Sequence, residues 1–169
     1  MNIRFGFSYL LLITILLFSC VKENRCPYAD QQYTASSSEI AYLQNYLADQ
    51  NITDALQHSS GVFYKVQQSG NGPVPGLCST MVVTYQAYRL GYPNTFDQYN
   101  DSTGMPFILG TLITGIQKVM PSIKAGSSVT LYIPPSLGYG GQEQRDQLGN
   151  IVLPANSYIR FDMFLKSVQ

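Results

Sequence analysis

The chain has 169 residues, a length that suits one domain of ordinary size behind a short leader. Charged residues make up only 12%, and ten Lys and Arg balance ten Asp and Glu, so there is no basic surplus to neutralise phosphates and we expect no nucleic-acid partner. The 13 Tyr and 8 Phe, with no Trp, provide partly polar aromatic surface that suits either an apolar cavity rimmed by hydroxyl groups or an ordinary β-rich core.

The first twenty residues have the layout of an export signal. A positive charge at Arg4 precedes an almost unbroken apolar run, 5–18, and the small residue Ser19 precedes Cys20. This order resembles the lipobox of bacterial lipoproteins, in which the cysteine receives a diacylglycerol. An ordinary signal peptide or an uncleaved anchor is the alternative, although the run is shorter than the ~20 residues that a bilayer core needs. We therefore expect residues 1–19 to be a lipoprotein signal peptide and Cys20 to be lipidated.

Such a lipid would anchor the mature protein to the cell envelope. We expect the membrane to be the outer membrane, with the protein on its periplasmic or surface side. Residues 20–36 are polar and lack periodicity, so we interpret them as a tether between the lipid and the domain. Two further cysteines, Cys26 and Cys78, form an even pair, which in an exported chain permits a disulfide that ties the tether to the domain. Two unrelated thiols remain the alternative, because the sequence does not give the distance between them.

A helix is predicted directly after the tether. Three serines at 36–38 offer N-cap groups, and Glu39 places an acid in the first turn. The apolar residues that follow recur at helical spacing, at Ile40, Leu43 and Leu47. The pattern predicts an amphipathic helix over 38–49 within an N-terminal helical extension, 37–60, and the helix could continue through 52–58 after a break. Its apolar stripe must pack on the domain or on a partner, such as a second copy of the chain in a homodimer.

From Gly61 onward the hydrophobic period changes to two. Apolar and polar residues alternate in four segments, 62–67, 81–88, 128–133 and 158–165. Each segment predicts a half-buried antiparallel strand with one face toward a core.

Between these strands, residues 112–120 are apolar on nearly every side, and Pro121 ends the run. A short helix without a polar face is a buried helix, and Gly115 inside it indicates that another part of the chain approaches closely. The predicted fold is therefore α+β. It consists of a curved antiparallel β-sheet of roughly five to six strands wrapped around one short helix, preceded by the N-terminal amphipathic helix.

Seven short motifs occur in order after Gly61. They are 82–85 (VVTY), 96–97 (FD), 106–110 (PFILG), 113–116 (ITGI), 133–140 (IPPSLGYG), 153–156 (LPAN) and 161–165 (FDMFL). The ordered set resembles the FKBP-type peptidyl-prolyl cis-trans isomerases, and the resemblance covers residues 61–169. It implies an isomerase domain that assists the folding of exported proteins, acts on proline-containing polypeptides and needs no cofactor and no metal.

The resemblance also implies which residues form the site. Those that would act in catalysis are Tyr85, Phe96, Asp97, Ile113, Tyr139 and Phe161. Those that would otherwise contact substrate are Met105, Phe107, Leu112, Ile116, Val152 and Leu153. In this scheme the backbone N–H of Ile113 and the hydroxyl of Tyr139 meet substrate carbonyls. Asp97 meets Tyr85 at the rim of a cavity that has aromatic walls and Ile116 as its floor.

Without the resemblance, most of these positions are ordinary core residues. The apolar positions at core spacing are Phe96, Phe107, Phe161, Leu112, Ile113 and Ile116. The chain also departs from the family pattern, because Ile116 stands where the family has Trp and no Arg occurs in 98–104, after the Phe-Asp pair. A non-catalytic peptide-binding chaperone, or an accessory lipoprotein of a cell-envelope machine, is therefore the alternative function. The long polar segment 141–152 is expected to be a mobile flap that helps to select substrate.

Overall fold

The structure is a computed structural model that describes residues 26–169. The predicted signal peptide and the lipidation site at Cys20 lie outside the described residues. Within this range the chain forms two α-helices, α1 (Ser37–Asp49) and α2 (Thr114–Val119), and three 3-10 turns, Leu109–Thr111, Met120–Ser122 and Pro135–Leu137. Its nine strands are β1 (Leu56–Gln57), β2 (Phe63–Gln68), β3 (Thr80–Arg89), β4 (Thr95–Tyr99), β5 (Met105–Ile108), β6 (Ser127–Ile133), β7 (Gln144–Arg145), β8 (Ile151–Leu153) and β9 (Ile159–Val168).

One antiparallel sheet of seven strands dominates the fold. Its order is β1-β2-β6-β9-β3-β4, and β5 also pairs with β3. The four strands predicted from alternation correspond to β2, β3, β6 and β9. Helix α2 packs against this sheet through Ile116 and Val119, which belong to the main buried cluster. The prediction of an antiparallel sheet packed around one short helix is therefore confirmed. The sheet has more strands than the expected five to six, because it includes the short strands β1, β4 and β5, which lie outside the four segments predicted from alternation.

Helix α2 is shorter than the predicted span of 112–120. It begins at Thr114, after Ile113 has taken an extended backbone conformation as the N-cap residue. Pro121 does not directly end the helix but lies inside the 3-10 turn that follows it. The close approach predicted at Gly115 is present, since a Cβ atom at this position would lie 2.4 Å from Cγ2 of Ile133.

Helix α1 packs on its own domain. Ser36 and Glu39 form a capping box at its N-terminus, as the serine-rich start indicates. Further along the same helix, Leu43 and Leu47 are buried in a second cluster, together with Phe63 and Tyr132 of the sheet and Leu90, which directly follows β3. The apolar stripe is therefore covered by the domain, so a homodimer would need another surface.

The expected helical continuation through 52–58 is not observed. Asn51, with φ 55°, adopts the left-handed conformation that ends helices. Leu56–Gln57 then forms the edge strand β1, in which Leu56 pairs with Tyr64 and Gln57 with Phe63. Pairing with an existing strand satisfies backbone groups that a two-turn helix without a buried face would leave to water.

The described part of the predicted tether is attached to the domain along its length. Cys26 and Cys78 form a disulfide with their Cα atoms 5.6 Å apart. Lys118 donates to the Asp30 carboxylate and to the backbone carbonyl of Gln31. The Ala35 N–H donates to the Ser60 carbonyl over 2.8 Å. Residues 26–35 thus form a strap across the domain, held by contacts that polar composition alone does not reveal.

The segment predicted to be a flap contains the hairpin of β7 and β8. The Asp146 Oδ1 atom accepts hydrogen bonds from the backbone N–H groups of Leu148 and Asn150, at 2.9 and 2.8 Å. These bonds close the turn between the two strands.

Within residues 26–169, no helix has the length and the apolar character needed to cross a bilayer.

Candidate active site

A cavity of about 240 Å³ lies between helix α2 and strands β3 and β9. Its volume is several times the roughly 30 Å³ that one water molecule occupies in the liquid, so a small ring can enter it. Its lining residues are Val83, Tyr85, Asp97, Phe107, Thr111, Leu112, Ile113, Ile116, Tyr139, Phe161 and Met163. Most of the residues predicted for the site are among them.

Two neighbouring strands build one wall of the cavity. Val83 and Tyr85 are two residues apart on β3, and Phe161 and Met163 are two residues apart on β9, so each pair lies on one face of its strand. The register places Tyr85 opposite Met163, which brings the two pairs together. Val83 and Met163 were not predicted for the site. The alternation that identified the strands already placed them on the same face as their predicted neighbours.

Aromatic rings form a connected cluster at this wall. The ring centroid of Tyr85 lies 6.1 Å from that of Phe107 and 6.1 Å from that of Phe161. Phe96 meets Phe161 and Tyr139 edge to face, at 6.3 and 6.2 Å. Phe96 does not line the cavity itself but contacts two rings that do. Edge-to-face pairs contribute about 0.5–1.5 kcal/mol each beyond the area they bury, so the wall is formed before any ligand binds.

Helix α2 provides the floor of the cavity, and the segment leading into it provides a backbone donor. Ile116 is only 3% exposed and lines the cavity at its buried side. Within the described residues, the backbone N–H of Ile113 donates to no protein acceptor. The Gln117 side chain holds this segment, because its Nε2 atom donates to the carbonyls of Leu112 and Gly110 at 2.6 and 3.2 Å. Gln117 was not predicted, since a glutamine on a short helix carries no sequence signal for such a role.

Two tyrosine hydroxyls border the cavity together with one carboxylate. Tyr85 Oη donates to Asp97 Oδ2 over 2.9 Å. Burial raises the pKa of Tyr85 well above its usual value, and the bond to Asp97 raises it further. Burial, and then the charge of Asp97, also raises the pKa of Tyr139. Both hydroxyls therefore stay protonated at neutral pH and can donate hydrogen bonds.

Three predicted substrate contacts lie outside the cavity. Met105 is 38% exposed on strand β5 and does not line it. Leu153 is only 1% exposed and packs in the main core, because its side chain points inward from β8. Val152 lines an adjoining cleft with Phe96 and Arg145. Thr111 lines the cavity although it was not predicted, because it follows the PFILG motif without belonging to it.

The described residues offer apolar burial and hydrogen-bond donors. Within 26–169, no group of three or more His, Cys, Asp and Glu side chains is arranged to hold a metal ion. His58 lies away from the cavity, and its Nδ1 atom is 2.9 Å from the Ser60 hydroxyl. The arrangement can enclose an apolar ring and donate hydrogen bonds to adjacent carbonyls.

Comparison with known proteins decides the family. The family model for FKBP-type peptidyl-prolyl cis-trans isomerases matches residues 73–166. The chain belongs to this family. Among curated FKBP-type relatives, FkpA of Escherichia coli (strain K12) is 31% identical over 111 residues, which are 66% of this chain and 39% of the relative. The peptidyl-prolyl cis-trans isomerase Mip of Coxiella burnetii is 33% identical over 96 residues, covering 56% of this chain and 41% of the relative. The chain thus spans about two fifths of these longer proteins.

Solved FKBP-type structures have the same fold. The peptidyl-prolyl cis-trans isomerase of Pseudomonas syringae pv. tomato has a TM-score of 0.65 and 18% identity, over 82% of this chain and 99% of that chain. The crystal structure of FkpA from Escherichia coli has a TM-score of 0.60 and 26% identity, over 78% of this chain and 58% of that chain. The first of these likenesses concerns the fold alone.

Proposed function

We propose that the protein is a peptidyl-prolyl cis-trans isomerase that assists the folding of exported proteins. The observation that carries the proposal is the convergence of Tyr85, Phe107 and Phe161 on one cavity, at whose edge the Ile113 N–H has no acceptor among residues 26–169. Membership of the FKBP family supports the same activity. The substrate class is then a polypeptide with an accessible Xaa-Pro bond.

The reaction needs no nucleophile and no proton transfer. Amide resonance sets a barrier of ~18–20 kcal/mol to rotation about the Xaa-Pro bond. Rotation removes this resonance and makes the imide less polar, so a dry apolar cavity stabilises the twisted state more than water does. The aromatic wall and Ile116 provide that environment for the prolyl ring.

The donors at the cavity edge hold the peptide while the bond turns. A carbonyl that accepts from the Ile113 N–H would be fixed relative to the prolyl ring, and the Tyr139 hydroxyl can hold a second carbonyl. Fixing one side of the bond removes motions that do not lead to the transition state. Asp97 orients the Tyr85 hydroxyl and places a negative charge at the rim.

A proline-limited refolding assay with the purified protein tests this function. The wild type is expected to accelerate the slow refolding phase, and Phe161→Ala is expected to abolish the acceleration. Phe164→Ala is the matched control, because Phe164 lies on the same strand but is 37% exposed on its other face. Tyr139→Phe removes only a hydroxyl and should lower kcat/KM about threefold to tenfold without altering the fold. A well-folded wild type that gives no acceleration would exclude the activity.

One observation favours a second candidate function. Ile116 is smaller than the Trp that the family pattern has at this position, so the cavity offers the proline less aromatic surface. A peptide-binding chaperone, or an accessory lipoprotein of a cell-envelope machine, would retain the cavity without rapid catalysis. Suppression of client aggregation by a protein with no isomerase activity would support this candidate.

We also infer that the mature protein is attached to the cell envelope by a lipid on Cys20, at the outer membrane and on its periplasmic or surface side. The order of a charged start, an apolar run and Ser19 before Cys20 supports this inference. Incorporation of an alkyne-labelled fatty acid that is lost in Cys20→Ala tests it, and equal labelling of both proteins would contradict it. The possible homodimer remains a prediction, and light scattering on the purified protein would measure its mass.

A further inference from the structure

The carboxylate of Glu39, at the start of α1, accepts four hydrogen bonds. Two come from the N–H and hydroxyl of Ser36, both at 2.9 Å, and these complete the helix cap. The other two come from the N–H and hydroxyl of Ser136, also at 2.9 Å. Ser136 lies 97 residues further along the chain, so these two bonds have no part in capping the helix.

Ser136 is the middle residue of the 3-10 turn Pro135–Leu137, which leads directly to Tyr139. Pro135 and Leu137, on either side of it, are both buried. The Pro135 carbonyl accepts from the N–H groups of Gly138 and Gly140, at 3.0 and 2.9 Å. The backbone on both sides of Tyr139 is thereby tied to the turn that Glu39 holds.

We propose that Glu39 is a positioning residue for catalysis, which fixes the turn 135–137 and so places the Tyr139 hydroxyl at the cavity. The inference rests on the proposed isomerase function and deepens it. Glu39 lies in the N-terminal extension, before residue 73, where the match to the family model begins. The extension is then part of the catalytic apparatus as well as a helix that docks on the domain through Leu43 and Leu47.

A purely structural role for Glu39 makes a different prediction. Helix α1 has a second attachment near the same place, the stacked pair of Tyr42 and Tyr158, whose ring centroids are 4.1 Å apart. Loss of either attachment should loosen α1 and lower the melting temperature. Only the loss of the Glu39 carboxylate releases Ser136 and, through it, Tyr139.

The test compares Glu39→Gln with Tyr42→Ala in an assay of Xaa-Pro peptide isomerisation, using the complete protein. Glu39→Gln keeps the size of the side chain but removes its charge. We expect it to lower kcat/KM about threefold to tenfold, as the weakening of one catalytic hydrogen bond does. Ser136→Ala should give a smaller loss of the same kind. The kcat/KM of Tyr42→Ala should stay within about twofold of the wild-type value, even if its melting temperature falls as much as that of Glu39→Gln.

A double-mutant cycle shows whether Glu39 acts through Tyr139. In a Tyr139→Phe background, Glu39→Gln should have no further effect on kcat/KM, because the hydroxyl that it positions is gone. The same fold-loss in both backgrounds, or no loss in an active wild type, would overturn the inference and leave the isomerase function standing. If the wild type neither isomerises nor binds the proline peptide, both are overturned. If the wild type binds the peptide without isomerising it, the Kd of the peptide replaces kcat/KM as the quantity measured for the four proteins of the cycle.

Discussion

At the residue scale, the floor of the cavity sets the expected performance of the site. Ile116 is nearly fully buried and lines the cavity, where the family pattern has Trp. An isoleucine offers apolar contact but no ring face for the proline. Ile116→Trp is therefore expected to raise kcat/KM and, since it adds bulk to a packed core, to cost about 1–3 kcal/mol of stability. Peptide isomerisation rates and thermal unfolding measure the two effects. An unchanged or lower kcat/KM in a folded Ile116→Trp protein would contradict the claim that the missing ring face limits catalysis.

Alternation along a strand assigns side chains to faces, but motifs do not say how far a side chain reaches. The face shared by Tyr85 and Val83 could be read from the sequence, and so could that of Phe161 and Met163. The inward orientation of Leu153 could not, because a three-residue strand has too little pattern to define its faces. Contacts such as Gln117 to the Leu112 carbonyl depend on local geometry that composition does not encode.

At the element scale, helix α1 is expected to contribute to stability through two buried leucines. Leu43 is completely buried against the sheet, so Leu43→Ala should lower the free energy of unfolding by about 2–5 kcal/mol. Asn45→Ala, on the exposed side of the same helix, is the control and should change it by less than about 0.5 kcal/mol. Urea denaturation measures both variants. Equal stability of the two would mean that α1 is not docked on the domain in solution.

The attachment of α1 to the turn 135–137 should weaken in acid. Burial acts to raise the pKa of Glu39, but the hydrogen bonds from Ser136 and Ser36 outweigh it, so the pKa lies below the usual value for a glutamate. A carboxyl whose pKa is lower in the folded state stabilises the fold above the unfolded pKa, and the effect is lost as the pH falls through the folded value. The unfolding free energy of the wild type should therefore fall more steeply than that of Glu39→Gln once the pH drops below the pKa of an unfolded glutamate, about 4.3.

The difference between these two proteins is the quantity to measure, because other carboxylates respond to acid as well. Hydrogen bonds also lower the pKa values of Asp54, Asp101 and Asp146, the first of them through Lys65. Those groups are present in both proteins and cancel in the difference. Parallel pH profiles for wild type and Glu39→Gln would contradict the lowered pKa of Glu39.

The sequence located most long elements, because each carries a repeated signal. The capping serines and the spacing of Leu43 and Leu47 indicated α1, and eight-residue alternation indicated the ten-residue strands β3 and β9. Strands such as β1 and β5 have two and four residues and exist because a neighbouring strand offers its backbone groups. Tertiary pairing of this kind leaves little local trace in a sequence.

At the scale of the whole molecule, the disulfide joins the strap of residues 26–35 to the domain. The bond closes a loop with a sequence separation of 52, for which chain entropy gives about 4 kcal/mol of stabilisation. Reduction should therefore lower the Tm by roughly 10 °C. The double variant Cys26→Ser/Cys78→Ser should have the lower Tm and should not respond to reductant. A wild type whose Tm is insensitive to reductant, despite full reduction, would contradict this role of the bond.

The central claim is that the cavity lined by Tyr85, Phe161 and Ile116 accelerates rotation about Xaa-Pro bonds. Exchange NMR on a proline peptide tests it most directly, because the cis and trans resonances report the rate without a coupled enzyme. A catalytic amount of the wild type should produce exchange cross-peaks, Phe164→Ala should produce them equally, and Phe161→Ala should not. Absence of exchange with a folded wild type, or equal exchange with Phe161→Ala, would contradict the account.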